Sequence, residues 1–269
     1  MDAPPDTATG SITTAQYWDD AWNGLELPDP IDPQGTAPIN HLHRQLHREF
    51  DAQFRHRVTP GRRLVEIGCG ASQWLPYFHR TFGLEVSGID YSPEGIRRVQ
   101  QILARTGTPA TVVQADMFAP PDAFVEAFDV VVSFGVVEHF TDTADAIRAC
   151  ARFLRPGGLM ITEVPTMSGL YGLAYRTLRP AIYAKHVPQT RERLAAAHER
   201  AGLRVLRSTY LLGAPVPLSR PAPQASSLAR LGFMAARGYF SLEDRGLGVP
   251  PNRLTSPYAL CAAERPATQ

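Results

Sequence analysis

Short apolar segments alternate with amphipathic segments through the middle of the chain. The apolar segments are typical of strands buried on both faces of a sheet, and they lie at 64–67, 86–89, 111–114, 130–133 and 159–164. Segments with helical spacing lie between them, at 73–82, 93–106 and 141–154. A Pro-Gly-Gly sequence at 156–158 follows the last of these helices and marks its end. This alternation predicts an α/β fold with a mostly parallel sheet and right-handed crossovers.

The pattern continues toward the C-terminal end with two long connections. A helix over 191–201 and strands over 203–212 and 256–263 bring the predicted sheet to seven strands. The connections at about 166–190 and 213–252 exceed ordinary loops, and we expect them to be functional inserts. Aromatic residues at near-helical spacing in the first insert either line an acceptor pocket or pack against the core: Tyr171, Tyr175, Tyr183 and, beside them, His186.

The N-terminal part has a different pattern. Residues 1–14 are Pro, Thr, Asp and Ala without periodicity, which predicts a disordered tail. Residues 15–24 are dense in aromatic side chains, with Tyr17, Trp18 and Trp22, and a loop rarely has this composition without docking onto another part of the protein. Hydrophobic residues then recur every fourth position, which predicts an amphipathic helix over 39–57. We therefore expect residues 15–58 to form a small helical lid.

Composition limits the classes of protein that fit. A chain of 269 residues with 44% hydrophobic content can bury a sizeable core. The net charge of +1 provides no field that would attract nucleic acid or an anionic membrane. Cys69, Cys150 and Cys261 are too dispersed for a disulfide framework. Without a leader pattern or a long apolar run, we expect a cytoplasmic protein with neither a nucleic-acid nor a membrane partner, and a homodimer stays open.

The end of the first predicted strand carries the first candidate site. Gly68-Cys69-Gly70 lets the backbone approach a ligand closely, and the following helix start offers free N–H groups to a carboxylate. A tight turn without a ligand is the alternative for this segment alone. Asp90 ends the second strand about 20 residues later, where an acid can accept hydrogen bonds from ribose hydroxyls. The pair indicates a nucleoside-type ligand.

Two details distinguish between nucleoside ligands. A dinucleotide fingerprint needs a third glycine at position 73, where this chain has Gln73. An acid, Glu66, lies two residues before the first glycine. These differences favour S-adenosylmethionine (SAM) over a nicotinamide dinucleotide.

With these motifs in order, residues 60–165 resemble the class I SAM-dependent methyltransferases. Further matches are Ala115-Asp116-Met117 after the third strand, Phe128-Asp129 at the start of the fourth, and the Pro-Gly-Gly sequence before the fifth. Ser72 departs from the family's usual last glycine. The resemblance implies a Rossmann-like fold with a seven-stranded sheet, helices on both faces, and a SAM-binding domain over 59–265.

The resemblance also implies a role for individual residues. Glu66, Gly68, Cys69 and Gly70 would line the methionine part of SAM, with Glu66 near its amino group. Asp90 would bind the ribose. Tyr91, Met117 and Asp116 would contact the adenine, and the backbone around Ser133 would contact the methionine ammonium. Tyr17 and Trp22 of the lid would close over the cofactor.

Methyl transfer chiefly needs alignment of acceptor, methyl and sulfur, and it needs a base only when the acceptor loses a proton. Glu138-His139 follows the fourth strand, and many small-molecule methyltransferases have a similar pair. His139 is our candidate base or acceptor-orienting residue, and a helix-start residue bonded to backbone is the alternative. Ubiquinone-type O-methyltransferases carry a further acid where this chain has Gly135, so we predict no metal. His43 and His47 have zinc-like spacing, but a solvated helix face explains them better.

Several other functions fit less well. A short-chain dehydrogenase needs Tyr four residues before its Lys, whereas Ala181 precedes Lys185, the only lysine. The residues after the fourth strand lack the polar-Pro-Pro-aromatic sequence of DNA amino-methyltransferases. A non-catalytic SAM-binding or regulatory protein would share every cofactor motif and remains the alternative. The sequence thus predicts methyl transfer to oxygen or nitrogen of a small molecule, and its arginine-rich composition suggests bacterial secondary metabolism.

Overall fold

The computed structural model describes residues 10–35, 38–215 and 227–267. Seven strands form one sheet: β1 (Arg63–Ile67), β2 (Glu85–Asp90), β3 (Ala110–Gln114), β4 (Phe128–Phe134), β5 (Leu154–Pro165), β6 (Arg204–Leu211) and β7 (Tyr258–Glu264). Their order is β3-β2-β1-β4-β5-β7-β6. All pairs from β3 to β5 are parallel, whereas β7 runs antiparallel to both of its neighbours. The predicted mostly parallel, seven-stranded α/β fold is confirmed.

Helices cover both faces of this sheet. They are α1 (Ala15–Trp22), α2 (Pro38–Phe54), α3 (Trp74–Phe82), α4 (Pro93–Thr106), α5 (Thr143–Ala151), α6 (Gly169–Leu178), α7 (Pro180–Tyr183), α8 (Arg191–Arg200) and α9 (Ser227–Glu243). Alternate residues of the central strands belong to two buried clusters, one packed against α2, α3, α4 and α9 and the other against α5 and α8. Within the described ranges, none of these helices has the length and apolar character needed to cross a membrane.

The start of α4 shows how local sequence fixes the carboxyl edge of the sheet. The Ser92 hydroxyl accepts a hydrogen bond from the Gly95 N–H at 2.9 Å, and Pro93 occupies the first helical position. Gly107, at φ +63°, ends the helix in the left-handed region. Because α4 begins two residues after β2, its N-terminal turn holds Asp90 at the sheet edge.

Two predicted boundaries were wrong by a few residues. The helix predicted over 39–57 ends at Phe54, and the one predicted over 141–154 ends at Ala151. The helix cannot extend to Leu154 because Leu154 pairs with Phe128 and belongs to β5. The register of β5 against β4 then shifts between Phe128 and Val130. The Pro-Gly-Gly sequence therefore lies inside an irregular strand rather than in a turn before it.

The N-terminal tail is partly ordered. Residues 1–9 of the tail predicted over 1–14 lie outside the described residues. The next residues pair with the segment after β4, since the Ile12 N–H donates to the His139 carbonyl at 2.8 Å and the Thr141 N–H donates to the Gly10 carbonyl at 2.9 Å. The prediction of disorder was wrong for residues 10–14, because their polar backbone finds partners there.

The histidines of α2 do not form a solvated face. His41 and His43 are only 2% and 6% exposed, respectively. His41 stacks on Phe240 of α9, and its Nε2 lies 2.8 Å from the Glu243 carboxylate. This interpretation was wrong because α9, in the second insert, covers the helix. The Nδ1 of His47 lies 2.6 Å from the Tyr77 hydroxyl, so His43 and His47 have separate surroundings rather than a shared zinc site.

Candidate active site

A cavity of about 470 Å³ opens at the carboxyl edge of the sheet beneath α1. It lies at the end of β1, which has β2 on one side and β4 on the other. The strand order reverses at this point, and open α/β sheets bind ligands where it does. Its volume is in the range of small-molecule sites. Nine of the sequence-predicted site residues line it: Trp22, Glu66, Gly68, Gly70, Asp90, Tyr91, Asp116, Met117 and His139.

The glycines after β1 are required by geometry. Gly68 adopts φ +75°, and a Cβ there would collide with the side chain of Val136. A Cβ on Gly70 would lie 2.9 Å from Asp90 Oδ2 and 3.1 Å from Trp22 Nε1. The turn therefore brings bare backbone against the ligand space, as the sequence predicted.

Asp90 is held rigidly at the floor of the cavity. Its Oδ2 accepts a hydrogen bond from the Gly70 N–H at 2.7 Å, and its Oδ1 accepts one from the Ser92 N–H at 2.8 Å. Burial raises the pKa of Asp90 to about 6, although these hydrogen bonds oppose the increase. At neutral pH the carboxylate is largely ionised, with lone pairs left to accept hydroxyl donors.

Glu66 lies deeper and has a different charge state. Its Oε2 accepts a hydrogen bond from the Ser72 hydroxyl at 2.6 Å. Burial raises the pKa of Glu66 to about 8, against the opposing effect of this hydrogen bond, and the nearby charge of Asp90 adds to the increase. Glu66 is therefore mostly protonated at neutral pH when no cation lies beside it.

Residues after β2 and β3 form the outer end of the cavity. Tyr91 is partly exposed, and its hydroxyl lies 3.5 Å from Thr13 Oγ1. Met117 is buried, whereas Asp116 is exposed and its Oδ1 accepts a hydrogen bond from the Phe118 N–H at 2.9 Å. All three residues line the cavity.

Helix α1 covers the cavity from above. Thr14 caps the helix, accepting a hydrogen bond from the Tyr17 N–H at 3.1 Å. Asp19 Oδ1 accepts hydrogen bonds from the Ser92 hydroxyl at 2.5 Å and the Glu94 N–H at 3.2 Å, which fastens α1 to the start of α4. On the lower face of α1, Trp18 stacks on Trp22 with ring centroids 5.9 Å apart, and both rings line the cavity.

Loss of the Asp19 anchor should weaken cofactor binding. We expect Asp19→Ala to raise the KM for SAM several-fold, up to about tenfold, because two hydrogen bonds to a charged group are lost. Asp20→Ala is the matched control, since its carboxylate accepts only an exposed hydrogen bond from Gln16 of the same helix. Steady-state kinetics with both variants make the comparison. Equal KM values for the two would refute a closing role for α1.

Four sequence-predicted residues do not line the cavity. Cys69 is fully buried, with its side chain turned into the core between β1 and β2. Ser133 is likewise fully buried, within the paired part of β4. Tyr17 lies on the far side of α1, where the Lys185 ammonium sits 5.3 Å from the centre of its ring. Glu138 is buried behind His139. The side chains of Cys69 and Tyr17 thus turn away from the cavity, whereas for Ser133 the expectation concerned the backbone and stays a prediction.

His139 does reach the cavity wall, in a defined tautomer. Its Nδ1–H donates to the Lys185 carbonyl at 2.6 Å, so Nε2 carries the free lone pair. Burial lowers the pKa of His139 to about 4, and the neighbouring His186 contributes. The edge of the ring meets Trp18 of the lid at 5.1 Å between centroids. His139 is therefore neutral at pH 7, with Nε2 unprotonated.

Glu138 and His186 lie behind this residue. Glu138 Oε1 lies 3.7 Å from His139 Nε2, and neither carboxyl oxygen has a hydrogen-bond partner among the described residues. Burial holds the pKa of Glu138 well above its usual range, and Glu163 reinforces this. The His186 ring centroid is 4.5 Å from that of His139. In the described part of the chain, Glu138, His139 and His186 form a cluster whose ligand-type atoms lie within 4.8 Å of one another.

Sequence reasoning missed several aromatic residues of the cavity. They come from different elements and share no motif: Trp74, Phe118, Phe134 and Phe140. Trp74 stacks on Phe134 at 4.9 Å between centroids, which places a flat apolar wall below the lid. The sequence indicated aromatic residues near the site only through the density of aromatic side chains in residues 15–24, which include Trp18 and Trp22.

With the site described, comparison with known proteins identifies the family. A family model for a methyltransferase domain matches residues 40–208, more than half of the chain. The chain therefore belongs to this methyltransferase family, and the expectation of a SAM-dependent methyltransferase is confirmed.

Several similar proteins share one name. A protein named ubiquinone biosynthesis O-methyltransferase from a Caulobacter species is 31% identical over 68% of this chain and 67% of its own length. A protein of the same name from Cereibacter sphaeroides is 32% identical over 59% of this chain and 62% of its own length. The match thus spans somewhat less than two thirds of the second relative.

Solved structures share the fold at low identity. Geranyl diphosphate C-methyltransferase from Streptomyces coelicolor has a TM-score of 0.61 and 18% identity, covering 93% of this chain and 97% of that one. The [4+2]-cyclase SpnF also has a TM-score of 0.61, with 16% identity, covering 96% and 97% of the two chains. Because one neighbour is named as a cyclase, this likeness establishes the fold and not the reaction.

Proposed function

We propose that this chain transfers the methyl group of SAM to a hydroxyl group on a small aromatic acceptor, with His139 as the base. The observation that carries the proposal is the free Nε2 of a neutral His139 at the wall of a cavity that also contains the Asp90 and Glu66 carboxyls. The relatives named as O-methyltransferases support oxygen over nitrogen as the acceptor atom.

The residues around the cavity fit the parts of SAM. Asp90 would accept hydrogen bonds from the ribose hydroxyls, and the backbone without Cβ atoms at Gly68 and Gly70 would accommodate the methionine portion. Glu66 would balance the charge of the methionine ammonium. The outer end, with Tyr91, Met117 and Asp116, would hold the adenine ring and its amino group. Bound SAM supplies a methyl group already activated on a sulfonium, so the protein needs only to orient the acceptor and remove its proton.

His139 takes that proton. Its Nδ1–H stays bonded to the Lys185 carbonyl, so only Nε2 can accept the hydroxyl proton as the new carbon–oxygen bond forms. The buried carboxyls of Glu138 and Glu163, whose pKa values burial raises, are neutral before the reaction. After it, the His139 imidazolium lies 3.7 Å from the Glu138 carboxyl oxygen and loses the proton to water when the products leave.

Aromatic walls favour a flat acceptor. Trp18 lies next to His139, Trp74 and Phe134 line the same cavity, and its wall contains no lysine or arginine among the described residues. A phenol or catechol fits this lining better than a phosphorylated or carboxylated acceptor. The relatives favour a quinone precursor of this kind, whereas the link to bacterial secondary metabolism rests on composition alone and is the second candidate.

Acceptor class can be tested by labelled methyl transfer. We expect radioactivity from methyl-labelled SAM to move to simple catechols, and not to matched anilines or benzylamines, in a reaction that also yields S-adenosylhomocysteine (SAH). Transfer to the amines alone would overturn the hydroxyl assignment. Protein that binds SAM but transfers its methyl to none of a broad panel of hydroxyl, amine and carbon acceptors would favour a regulatory SAM-binding role.

Cofactor binding should release a proton. Because the pKa of Glu66 is about 8 in the empty site, the ammonium of SAM must lower it and displace the proton at neutral pH. We therefore expect SAM affinity to rise between pH 6 and 7.5, by at most about tenfold per unit. Calorimetry in buffers of different ionisation enthalpy would measure up to one released proton. Glu66→Gln should abolish the release, and equal release by this variant would remove Glu66 from the cofactor site.

Metal removal should leave turnover unchanged. Gly135 provides no third acid beside Glu138 and His139, and hard cations need several oxygen ligands. Dialysis against EDTA followed by kinetics and metal analysis makes the test. Activity lost with EDTA and restored by a divalent metal would contradict this account. In that case His186→Ala should also lower metal content, because His186 completes the described cluster of Glu138 and His139.

A further inference from the structure

A second cavity lies outside the methyl-transfer site, on the surface formed by the first insert. It has a volume of about 730 Å³ and is bounded by α6, by the segment leading into α8, and by the loop before β7. The segment 183–188 separates it from His139, with the Val187 N–H bonded to the Glu138 carbonyl at 2.7 Å. No function proposed above uses this cavity.

The cavity concentrates positive charge. Arg176, Arg193 and Arg253 line it, and among its described lining residues none is acidic. In the described part of the chain, Arg176 and Arg253 have no carboxylate partner, and Arg193 donates only to the Pro188 carbonyl at 3.3 Å. These three guanidinium groups are therefore available to bind an anion at the wall of the cavity.

Two helix starts add to the positive potential. Ser168 precedes α6, does not cap it, and has a buried hydroxyl without a partner among the described residues. Thr190 caps α8, whose first turn also faces the cavity. The positive ends of both helix dipoles favour negative charge, although the Leu170 N–H is bonded to the Leu254 carbonyl and the Arg193 N–H to Thr190 Oγ1. A phosphate group matches this arrangement because it carries nearly two charges and three acceptor oxygens.

The rest of the wall is apolar. Leu173 and Leu254 are about half exposed, and Met167 lies buried between them and the sheet. Nonpolar side chains that remain this exposed beside unpaired guanidinium groups suit a ligand with a charged head and a hydrocarbon body.

We propose that this cavity binds a phosphate monoester or diester that carries a hydrocarbon body. The arginines hold the phosphate and the exposed leucines hold the hydrocarbon. Soluble organic phosphates and phospholipids both combine a phosphate with a hydrocarbon body, so the same residues would bind either one. The site is independent of the proposed reaction, so its failure would leave the methyltransferase assignment intact.

Calorimetric titration of the whole chain tests the proposal without SAM or acceptor. The probes are inorganic phosphate, monomeric octyl phosphate, and vesicles of phosphatidylglycerol with phosphatidylcholine vesicles as reference. We expect octyl phosphate or phosphatidylglycerol to bind, inorganic phosphate to bind more weakly, and salt to weaken each interaction. Binding of octyl phosphate identifies a soluble source of the phosphate, and binding of vesicles alone identifies a lipid headgroup.

Variants assign the binding to the cavity. Arg176→Gln with Arg253→Gln should weaken it about tenfold or more. Arg57→Gln with Arg237→Gln is the matched control, because it removes two exposed positive charges that lie outside the cavity lining. Unaltered SAM affinity verifies folding, and Arg253→Gln alone serves if the double variant does not fold. The proposal fails if no probe binds, if the control weakens binding equally, or if inorganic phosphate binds as well as octyl phosphate.

Discussion

Replacing His139 by Ala should lower kcat by about a hundredfold or more while SAM affinity changes little. The loss follows from the position of His139 at the cavity wall, where the lone pair on Nε2 is free because Nδ1–H is bonded to the Lys185 carbonyl. Without this acceptor, the hydroxyl proton must leave to water in a site that α1 closes. Stopped assays with saturating SAM and acceptor, together with calorimetric SAM affinities, would provide both numbers.

Amide variants separate proton transfer from orientation. If His139 is a base, His139→Gln should be about as slow as His139→Ala, whereas an orienting residue would be largely replaced by Gln or Asn. The pKa of His139 is lowered to about 4, so His139 becomes protonated only near that pH. Activity that depends on neutral His139 should therefore fall only as the pH approaches 4. A variant with normal kcat and reduced thermal stability would show that His139 serves the fold and not the reaction.

Replacing Asp90 by Ala should weaken SAM binding about tenfold to a hundredfold. A charge-assisted contact of this kind contributes about 1.5–3 kcal/mol, and the site also loses the group that fixes the Gly70 and Ser92 backbone. Calorimetry with wild type and variant would measure the change.

Asp90→Asn is the informative companion. An amide oxygen can still accept one of the two backbone hydrogen bonds, so the turn is better preserved while the charge is lost. We expect intermediate affinity for this variant and thermal stability closer to wild type than that of Asp90→Ala. SAM affinity for Asp90→Ala within twofold of wild type, in a folded protein, would remove Asp90 from the cofactor site.

Much of the parallel sheet and the cofactor floor follows from local sequence. Strands buried on both faces produce continuous apolar runs, and the turn at Gly68 and Gly70 requires residues without a Cβ. Asp90 was predictable because it ends a strand next to that turn in the parallel sheet. These features depend on a few neighbouring residues and on one general rule of strand order.

Other features depend on packing between distant segments. Nothing near α2 indicates that Glu243 and Phe240 cover His41, because that contact joins residues about 200 positions apart. The aromatic wall of Trp74 and Phe134 likewise arises only when α3 meets the end of β4. Motif matching also placed Cys69 at the ligand, since a motif identifies a backbone position but not the direction of each side chain.

The central claim is that SAM occupies the cavity below α1 with its ribose on Asp90. A crystal structure of the chain with SAH tests it directly. The account predicts ribose oxygens within hydrogen-bond distance of the Asp90 carboxylate, the adenine between Tyr91 and Met117, and the sulfur facing the space beside His139. SAH bound elsewhere, or bound here with its ribose away from Asp90, would contradict it.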